Sequence, residues 1–227
     1  MDDIKETQNK LINKLINTGW YQNLRYFVNS SDMEDVLLDL YDQREGNKRF
    51  SPSLDNIFRP FVLCHYQEVK VVFLVQEPYM DPTLNNGLAI SIEGPINYSP
   101  EFNAFQKELF KQVPQPCAAS GDLTCWARKG VFLYNTTLTC RVMLPERHKK
   151  LWAPFTSTVV DMLNRLDDLI IVVFGESSFE EDFTNATHKI LKVEALPKEH
   201  GGEWDSQNIF LRVNEELVNK NIEPIIW

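Results

Sequence analysis

The sequence predicts an α/β protein of three layers, in which helices cover both faces of a short, mostly parallel sheet of four strands. Four apolar runs rich in β-branched residues recur along the chain, as in strands that are buried on both faces of a parallel sheet. Apolar residues at helical spacing fill the intervals, and strands that alternate with helices favour parallel pairing. No repeat or low-complexity tract interrupts the chain. One domain is therefore expected over 1–227, with a helical lead-in at 1–60 and an α/β core at 61–227.

The elements follow in a simple order. Apolar residues at 11–16 predict a first helix, and the same spacing over 33–41 predicts a second, with Asp32 as its N-cap. The predicted strands cover 69–75, 130–136, 169–175 and 188–195. The predicted helices between and after them cover 101–112, 155–166 and 210–219.

Composition restricts the possible functions. Lys and Arg total 23 against 32 Asp and Glu, a net charge of −9, which disfavours broad contact with a polyanion, so any contact with DNA should be local. No apolar run approaches the roughly 20 residues of a membrane span, and the polar start lacks a signal-peptide core. A soluble, intracellular protein, nuclear or cytoplasmic, is expected. The four cysteines have no metal-ligand spacing and are expected to be reduced thiols.

Polar residues follow the strands where a ligand site is expected in such a sheet, in the loops 76–87, 135–148, 175–187 and 194–205. Glu77 leaves the first strand among prolines, and its carboxylate either faces a cleft or is solvated in a rigid connection. Asn135 ends the second strand. Its amide can read the edge of a planar base, or it can bond its own backbone in a turn.

Taken together, several motifs resemble the family 1 uracil-DNA glycosylases. The resemblance runs from about residue 58 to the C-terminus and is most specific over 121–140. The segments that carry it are VKVVFLVQEPYMDP, NNGLAISI, GDLTCWARKGVFLYNTTLTCR, HKKLWAPFTSTVV, IIVVFG and EPIIW. It implies an enzyme that flips a uridine out of single- or double-stranded DNA and hydrolyses its N-glycosidic bond. No cofactor or metal is implied, because side chains and water suffice for this chemistry.

The resemblance assigns roles to the loop after the first strand. The family's Gly-Gln-Asp-Pro-Tyr-His motif matches 75–80, which retains Gln76 and Tyr79 and replaces the water-activating aspartate by Glu77. Tyr79 falls where the family's tyrosine excludes the methyl group of thymine. Glu77 keeps the charge but reaches one methylene further, and active sites tolerate displacements of about 1 Å poorly.

The same resemblance assigns the base pocket. Asn135 matches the asparagine that distinguishes uracil from cytosine. The aromatic residue that stacks on uracil is replaced by Ile90, a change expected to cost about 1–3 kcal/mol of stacking.

The catalytic histidine of the family is replaced as well. An ungapped match back from EPIIW places the family's His-Pro-Ser-Pro-Leu-Ser loop on 194–199, so Glu194 takes the histidine position and Lys198 that of the intercalating leucine. A carboxylate about 4 Å from the developing uracil anion would repel it by roughly 4 kcal/mol at an effective dielectric of 20. Two alternatives remain: the nearby His200 enters the vacated role, or Glu194 is protonated and donates.

A basic cluster is expected to contact DNA phosphates beside Asn135, although a solvated surface would have the same composition. It comprises Arg141, Arg147, His148, Lys149 and Lys150. Two functions stay open. One is a DNA-associated relative with weak or lost base excision, which could bind a replication or repair protein, and the other is an active glycosylase of base-excision repair.

Overall fold

The core of the fold is a four-stranded parallel sheet with the strand order β3-β2-β5-β6. Its strands lie within the four apolar runs: β2 (Val71–Val75), β3 (Val131–Asn135), β5 (Ile170–Phe174) and β6 (Lys189–Val193). These strands confirm the predicted α/β class and the number of strands in the sheet. In this computed structural model the described residues are 2–45, 50–93, 99–118, 120–141 and 146–227, with side chains described over 3–42, 50–93, 99–118, 120–141 and 148–227.

The register of the sheet is continuous from strand to strand. Val71 lies opposite Val131 on one side and Ile170 on the other, and each following residue pairs in step. Because all the pairs are parallel, the carboxyl ends of the four strands lie at one edge of the sheet. Ligands bind at this edge in open α/β sheets, so the register determines where a site can form.

Side chains of the central strands alternate between two hydrophobic cores. In β2, Val72 and Leu74 enter one core, whereas Val71 and Phe73 enter the other. Both faces of the sheet are therefore covered, which explains why β2 is apolar without alternation.

The helices lie on both faces of the sheet. They are α1 (Asp2–Leu15), α2 (Tyr21–Val28), α3 (Ser31–Glu45), α4 (Arg59–Leu63), α5 (Pro100–Gln112), α6 (Thr124–Ala127), α7 (Glu146–Leu163) and α8 (Ile209–Asn219). Buried residues of the first four helices and of α7 belong to the first core, and those of the other three belong to the second. A two-stranded antiparallel sheet joins β1 (Phe50–Ser51) to β4 (Cys140–Arg141). None of the described helices is long and apolar enough to cross a bilayer.

Three predictions were wrong: two about where helices begin and one about the state of the cysteines. Helix α7 begins at Glu146, not at 155, because Pro154 stands inside the helix instead of before it. Asp32 is not the N-cap of α3: the hydroxyl of Ser30 accepts a hydrogen bond from the backbone N–H of Asp32, which lies in the first turn. Cys117 and Cys125 are not reduced thiols but form a disulfide. Sequence spacing could not show this pairing, because the fold brings the two residues together.

Candidate active site

The loops that follow β2 and β3 are joined at the carboxyl edge of the sheet. Val75 and Asn135 are register partners at the ends of these strands. Beyond them the carbonyl of Gln76 accepts hydrogen bonds from the N–H of Thr137 and the hydroxyl of Thr136, both at 3.0 Å. The backbone that leads into Glu77 is therefore held beside the end of β3.

The negative charge of Glu77 lies close to a buried thiol. The Sγ of Cys140 lies 3.7 Å from the carbonyl oxygens of both Pro78 and Tyr79 and donates to them. Burial raises the pKa of Cys140 to about 12, and the charge of Glu77 contributes to the rise. The thiol therefore stays protonated and acts as a donor to the loop that carries the half-buried Glu77.

The main-chain carbonyl of Tyr79 accepts hydrogen bonds from side chains in separate parts of the chain. Its carbonyl accepts hydrogen bonds from the hydroxyl of Ser51 at 2.6 Å and from Nδ2 of Asn85 at 3.1 Å. Asn85 also donates to Ser51 at 2.8 Å. Sequence reasoning missed Ser51, Asn85 and Cys140 as supports of this loop, since only the tertiary structure brings them to one carbonyl.

The side chain of Tyr79 is tied to Ile90. Its hydroxyl donates a hydrogen bond of 2.7 Å to the Ile90 carbonyl, and burial raises the pKa of Tyr79 above its usual range. Ile90 is buried and has a φ of 66°, a left-handed conformation that β-branched residues rarely adopt. Next to it, the N–H of Ala89 donates to the carbonyl of Leu133 in β3. Tyr79 and Ile90 thus form adjoining walls beside the end of β3.

Asn135 completes this group at the end of β3. Its side chain is only 4% exposed, and among the described residues Oδ1 has no hydrogen-bond partner. A buried acceptor without a partner is costly, so such atoms in folded proteins usually meet a water or a ligand. The end of β3 therefore presents a hydrogen-bond acceptor suited to an N–H group of a small planar ligand.

The loop after β6 lies further from this group. Because β6 is three strand spacings from β3, the strands that lead to Glu194 and Asn135 are about 14 Å apart. Glu194, Lys198 and His200 are all exposed. The structure therefore places these residues at the same edge of the sheet as Asn135, at the end of a strand that is three strand spacings away.

Glu194 lies beside Trp204 and a groove next to α5. Its carbonyl accepts a hydrogen bond from Nε1 of Trp204 at 2.9 Å. Glu194 also lines a groove of about 430 Å³ between α5 and the loop after β6, together with Lys107, Lys111 and Glu203. Glu108 and Asp205 line the groove as well, and Lys111 pairs with Glu108, so the surroundings of Glu194 are predominantly acidic.

The predicted basic cluster is divided by the fold. His148 is 1% exposed and lies between Asp39, at 3.0 Å from Nε2, and Thr139, at 2.9 Å from Nδ1. Its prediction as a DNA contact was wrong, because this position of α7 faces the core. Lys150 is exposed and Lys149 half-buried, so both can still reach an anion, as can the half-buried Arg141. The side chain of Arg147 lies outside the described residues.

Acidic side chains surround the same edge of the sheet. The loop after β5 carries Glu176, Glu180, Glu181 and Asp182. Glu180 pairs with Lys192, which leaves the loop predominantly negative. No group of three or more metal-ligating side chains forms among the described residues. The loop after β5 therefore opposes contact with phosphates.

The fold and the site define a class: an α/β protein whose parallel sheet carries, at its carboxyl edge, a buried amide at the end of one strand and a carboxylate and a tyrosine in the loop after the neighbouring strand. No family model matches the sequence. The uracil-DNA glycosylase of Acinetobacter baumannii strain SDF is 30% identical over 230 residues, 98% of this chain and 97% of that protein. The uracil-DNA glycosylase of Clostridium perfringens is 31% identical over 213 residues, 92% of this chain and 89% of that protein. The chain belongs to the uracil-DNA glycosylases, which confirms the resemblance.

Solved structures agree on the fold. The crystal structure of mimivirus uracil-DNA glycosylase superposes with a TM-score of 0.80 at 21% identity, covering 96% of this chain and 88% of that one. The wild-type enzyme from Nitratifractor salsuginis superposes with a TM-score of 0.64 at 16% identity, covering 94% and 97%.

Proposed function

We propose that this chain binds a uracil flipped out of DNA and excises it only weakly, because Glu77 and Glu194 take the places of the family's aspartate and histidine. The observation that supports uracil binding best is the buried, unpartnered Oδ1 of Asn135 among the described residues. Uracil offers an N3–H donor to such an acceptor. Cytosine presents an acceptor at N3, and two facing acceptors repel each other, so the pocket favours uracil.

Glu77 is the candidate for the carboxylate that stabilises the sugar cation and orients water. The loop around it is held by the hydrogen bonds to Gln76 and Tyr79, so its backbone is rigid. A rigid backbone cannot retreat to compensate for the extra methylene. The carboxylate is therefore displaced relative to an aspartate, and a displacement of about 1 Å can cost about 100-fold in rate.

Glu194 supplies no positive charge or fixed donor to a departing uracil anion. Its exposed carboxylate would repel the anion if it approached as a charged group. Uracil release then depends on the remaining contacts of the pocket. Weak excision with retained binding is the expected result.

DNA contact is expected to be local. Acidic residues of the loop after β5 face the same edge, whereas Lys149 and Lys150 lie at the start of α7. A single strand with one flipped base needs fewer phosphate contacts than a duplex. We therefore expect binding to single-stranded DNA with a shallow salt dependence.

A fully active glycosylase is the second candidate. It is favoured by the match over 98% of this chain to a protein named uracil-DNA glycosylase. In that case His200 or a protonated Glu194 acts as the donor. The two candidate functions differ in the rate of uracil release and in the substitution that abolishes this release.

Uracil release from a single-stranded oligonucleotide tests the proposal. We expect slow release by the parent, a loss of at least tenfold in Glu77→Gln, and faster release by Glu77→Asp combined with Glu194→His. Glu176→Gln, an exposed acid at the same edge, is the matched control and should change little. Rapid release by the parent that His200→Gln abolishes would support the second candidate instead. Equal affinity for uracil-containing and thymine-containing strands, with no uracil release from either, would overturn both.

A further inference from the structure

The disulfide between Cys117 and Cys125 closes a short loop, 117–125, next to the pocket. The two residues are separated by 8 positions, and their Cα atoms lie 6.6 Å apart. This distance lies within the range that disulfides span without moving the backbone. The fold therefore accommodates the bond in its native arrangement.

The closed loop supports the pocket wall that contains Ile90. The carbonyl of Gly121 accepts hydrogen bonds from the N–H of Ile92 at 3.0 Å and the hydroxyl of Ser91 at 3.4 Å. Ser91 in turn accepts a hydrogen bond of 3.0 Å from the N–H of Leu123. Every one of these bonds joins the wall to a residue inside the loop that the disulfide closes.

A fourth contact extends the same support. Nδ2 of Asn86 lies 3.4 Å from Oδ1 of Asp122 and donates to it. Asp122 also accepts from the N–H and hydroxyl of Thr124. Opening the loop would therefore loosen the turn that holds Asn86 and, with it, the start of the wall segment.

The surroundings of the bond suit thiol–disulfide exchange. Cys117 is exposed and Cys125 is half-buried, so a small thiol can reach the bond. Nζ of Lys129 lies 3.8 Å from Sγ of Cys117. An ammonium at this distance favours the thiolate, which is the attacking form. Cys64 and Cys140, by contrast, are buried.

We infer that Cys117 and Cys125 form a reversible redox site that exchanges with glutathione, and that the oxidised form stiffens the Ile90 wall. Intracellular disulfides are generally transient, catalytic or redox-sensing. The effect on uracil binding rests on the proposed function. The thiol chemistry and the stiffening do not.

The exchange proceeds in two steps. The Cys117 thiolate attacks glutathione disulfide, whose S–S bond breaks and releases one glutathione thiolate. The Cys125 thiolate then attacks the mixed disulfide, forms the Cys117–Cys125 bond and releases the second glutathione. The two cysteines are oxidised, glutathione disulfide is reduced, and the two cysteine protons pass to the released glutathione thiolates.

The first experiment measures the thiol state of the full chain in mixtures of reduced and oxidised glutathione. After alkylation, peptide masses should show Cys117 and Cys125 bonded in the oxidising mixtures and alkylated in the reducing ones, with Cys64 and Cys140 never paired. If both remain alkylated in every mixture, or remain bonded in excess reduced glutathione, the redox site is overturned.

The second experiment measures amide hydrogen exchange in both redox states. We expect reduction to speed exchange at the Ile92 and Leu123 amides by about tenfold, while the amides of β5 stay unchanged. Cys117→Ser should show the faster exchange in both states. Equal exchange in the two states of the parent, or a redox response in Cys117→Ser, would overturn the stiffening.

Uracil-DNA affinity separates this inference from the proposed function. We expect reduction to weaken binding severalfold in the parent and to leave Cys117→Ser unaffected. If neither redox form prefers uracil-containing DNA while the exchange data behave as expected, the proposed function fails and the redox site stands. If uracil is bound equally well by both forms, the coupling of redox state to the pocket is overturned.

Discussion

The hydroxyl of Tyr79 donates a hydrogen bond of 2.7 Å to the carbonyl of Ile90 and so joins the two walls of the candidate pocket. The bond reaches across 11 residues of sequence and ends on a residue in the left-handed region, at φ 66°. A buried β-branched residue adopts this conformation only when its surroundings impose it. The pocket wall is therefore held under strain, with Tyr79 as one of its restraints.

Strain at Ile90 predicts an unusual order of stability for the glycine and alanine variants at this position. Ile90→Gly should be more stable than Ile90→Ala by about 1 kcal/mol, because glycine adopts a positive φ without the steric cost that alanine bears. Urea unfolding of both variants measures the difference. The matched control is Val172, buried in a regular strand, where the glycine variant should be the less stable of the two. The same order at both positions would show that Ile90 is unstrained.

Asn135 predicts opposite effects on stability and on binding. Asn135→Leu removes a buried acceptor that has no partner among the described residues and should raise the free energy of unfolding by about 1 kcal/mol. It should also abolish the preference for uracil over cytosine. Denaturant unfolding and competition binding with single-stranded oligonucleotides measure the two effects.

Asn85→Leu is the control for Asn135→Leu. Its Nδ2 donates to Ser51 and to the carbonyl of Tyr79, so Asn85→Leu breaks bonds that are made and should lower stability. If Asn135→Leu is destabilised as much as Asn85→Leu, the amide of Asn135 serves the fold instead of a ligand.

The divided basic cluster predicts two different phenotypes along α7. Gln at both Lys149 and Lys150 should leave folding unchanged and weaken binding to single-stranded DNA, with the salt slope falling by about 0.7 for each phosphate that the protein no longer neutralises. His148→Ala should instead destabilise the protein by about 2–3 kcal/mol, since it opens a cavity and removes a hydrogen bond to the buried carboxylate of Asp39. Thermal unfolding and binding at several salt concentrations distinguish them. A weaker salt slope in a fully folded His148→Ala would restore that residue as a DNA contact.

His188 predicts a loss of stability in acid. Burial lowers the pKa of His188 in the folded protein, and nearby Lys220 adds to this, although Asp167 and the Leu163 backbone oppose it. The unfolded chain therefore binds a proton more readily, so stability is complete above the unfolded pKa of about 6.5 and falls as the pH drops through the lower folded pKa. Urea unfolding at about pH 8 and about pH 5.5 should show a smaller loss in His188→Gln than in the parent. Equal losses would contradict the depressed pKa.

Local patterns predicted the sheet well because each central strand is a continuous apolar run, and few structures other than a buried strand fit such a short run. The boundaries of α7 could not be predicted in the same way. Proline is common at the first position of a helix, which would place the start of α7 near Pro154, and the charged run before Pro154 is typical of a loop. Tertiary contacts overrode both signals, since His148 and Trp152 bury polar atoms against Thr139.

The sequence alone determined the fold class, the four strands, the carboxyl-edge loops and the family, because these follow from short-range patterns and motifs. Only the tertiary structure decided which of the motif residues meet. It placed Asn135 beside Val75, joined Tyr79 to Ile90, buried His148 and paired Cys117 with Cys125. The reason is physical: a contact between residues distant in sequence depends on strand register and helix packing, and neither is encoded in the local pattern at either residue.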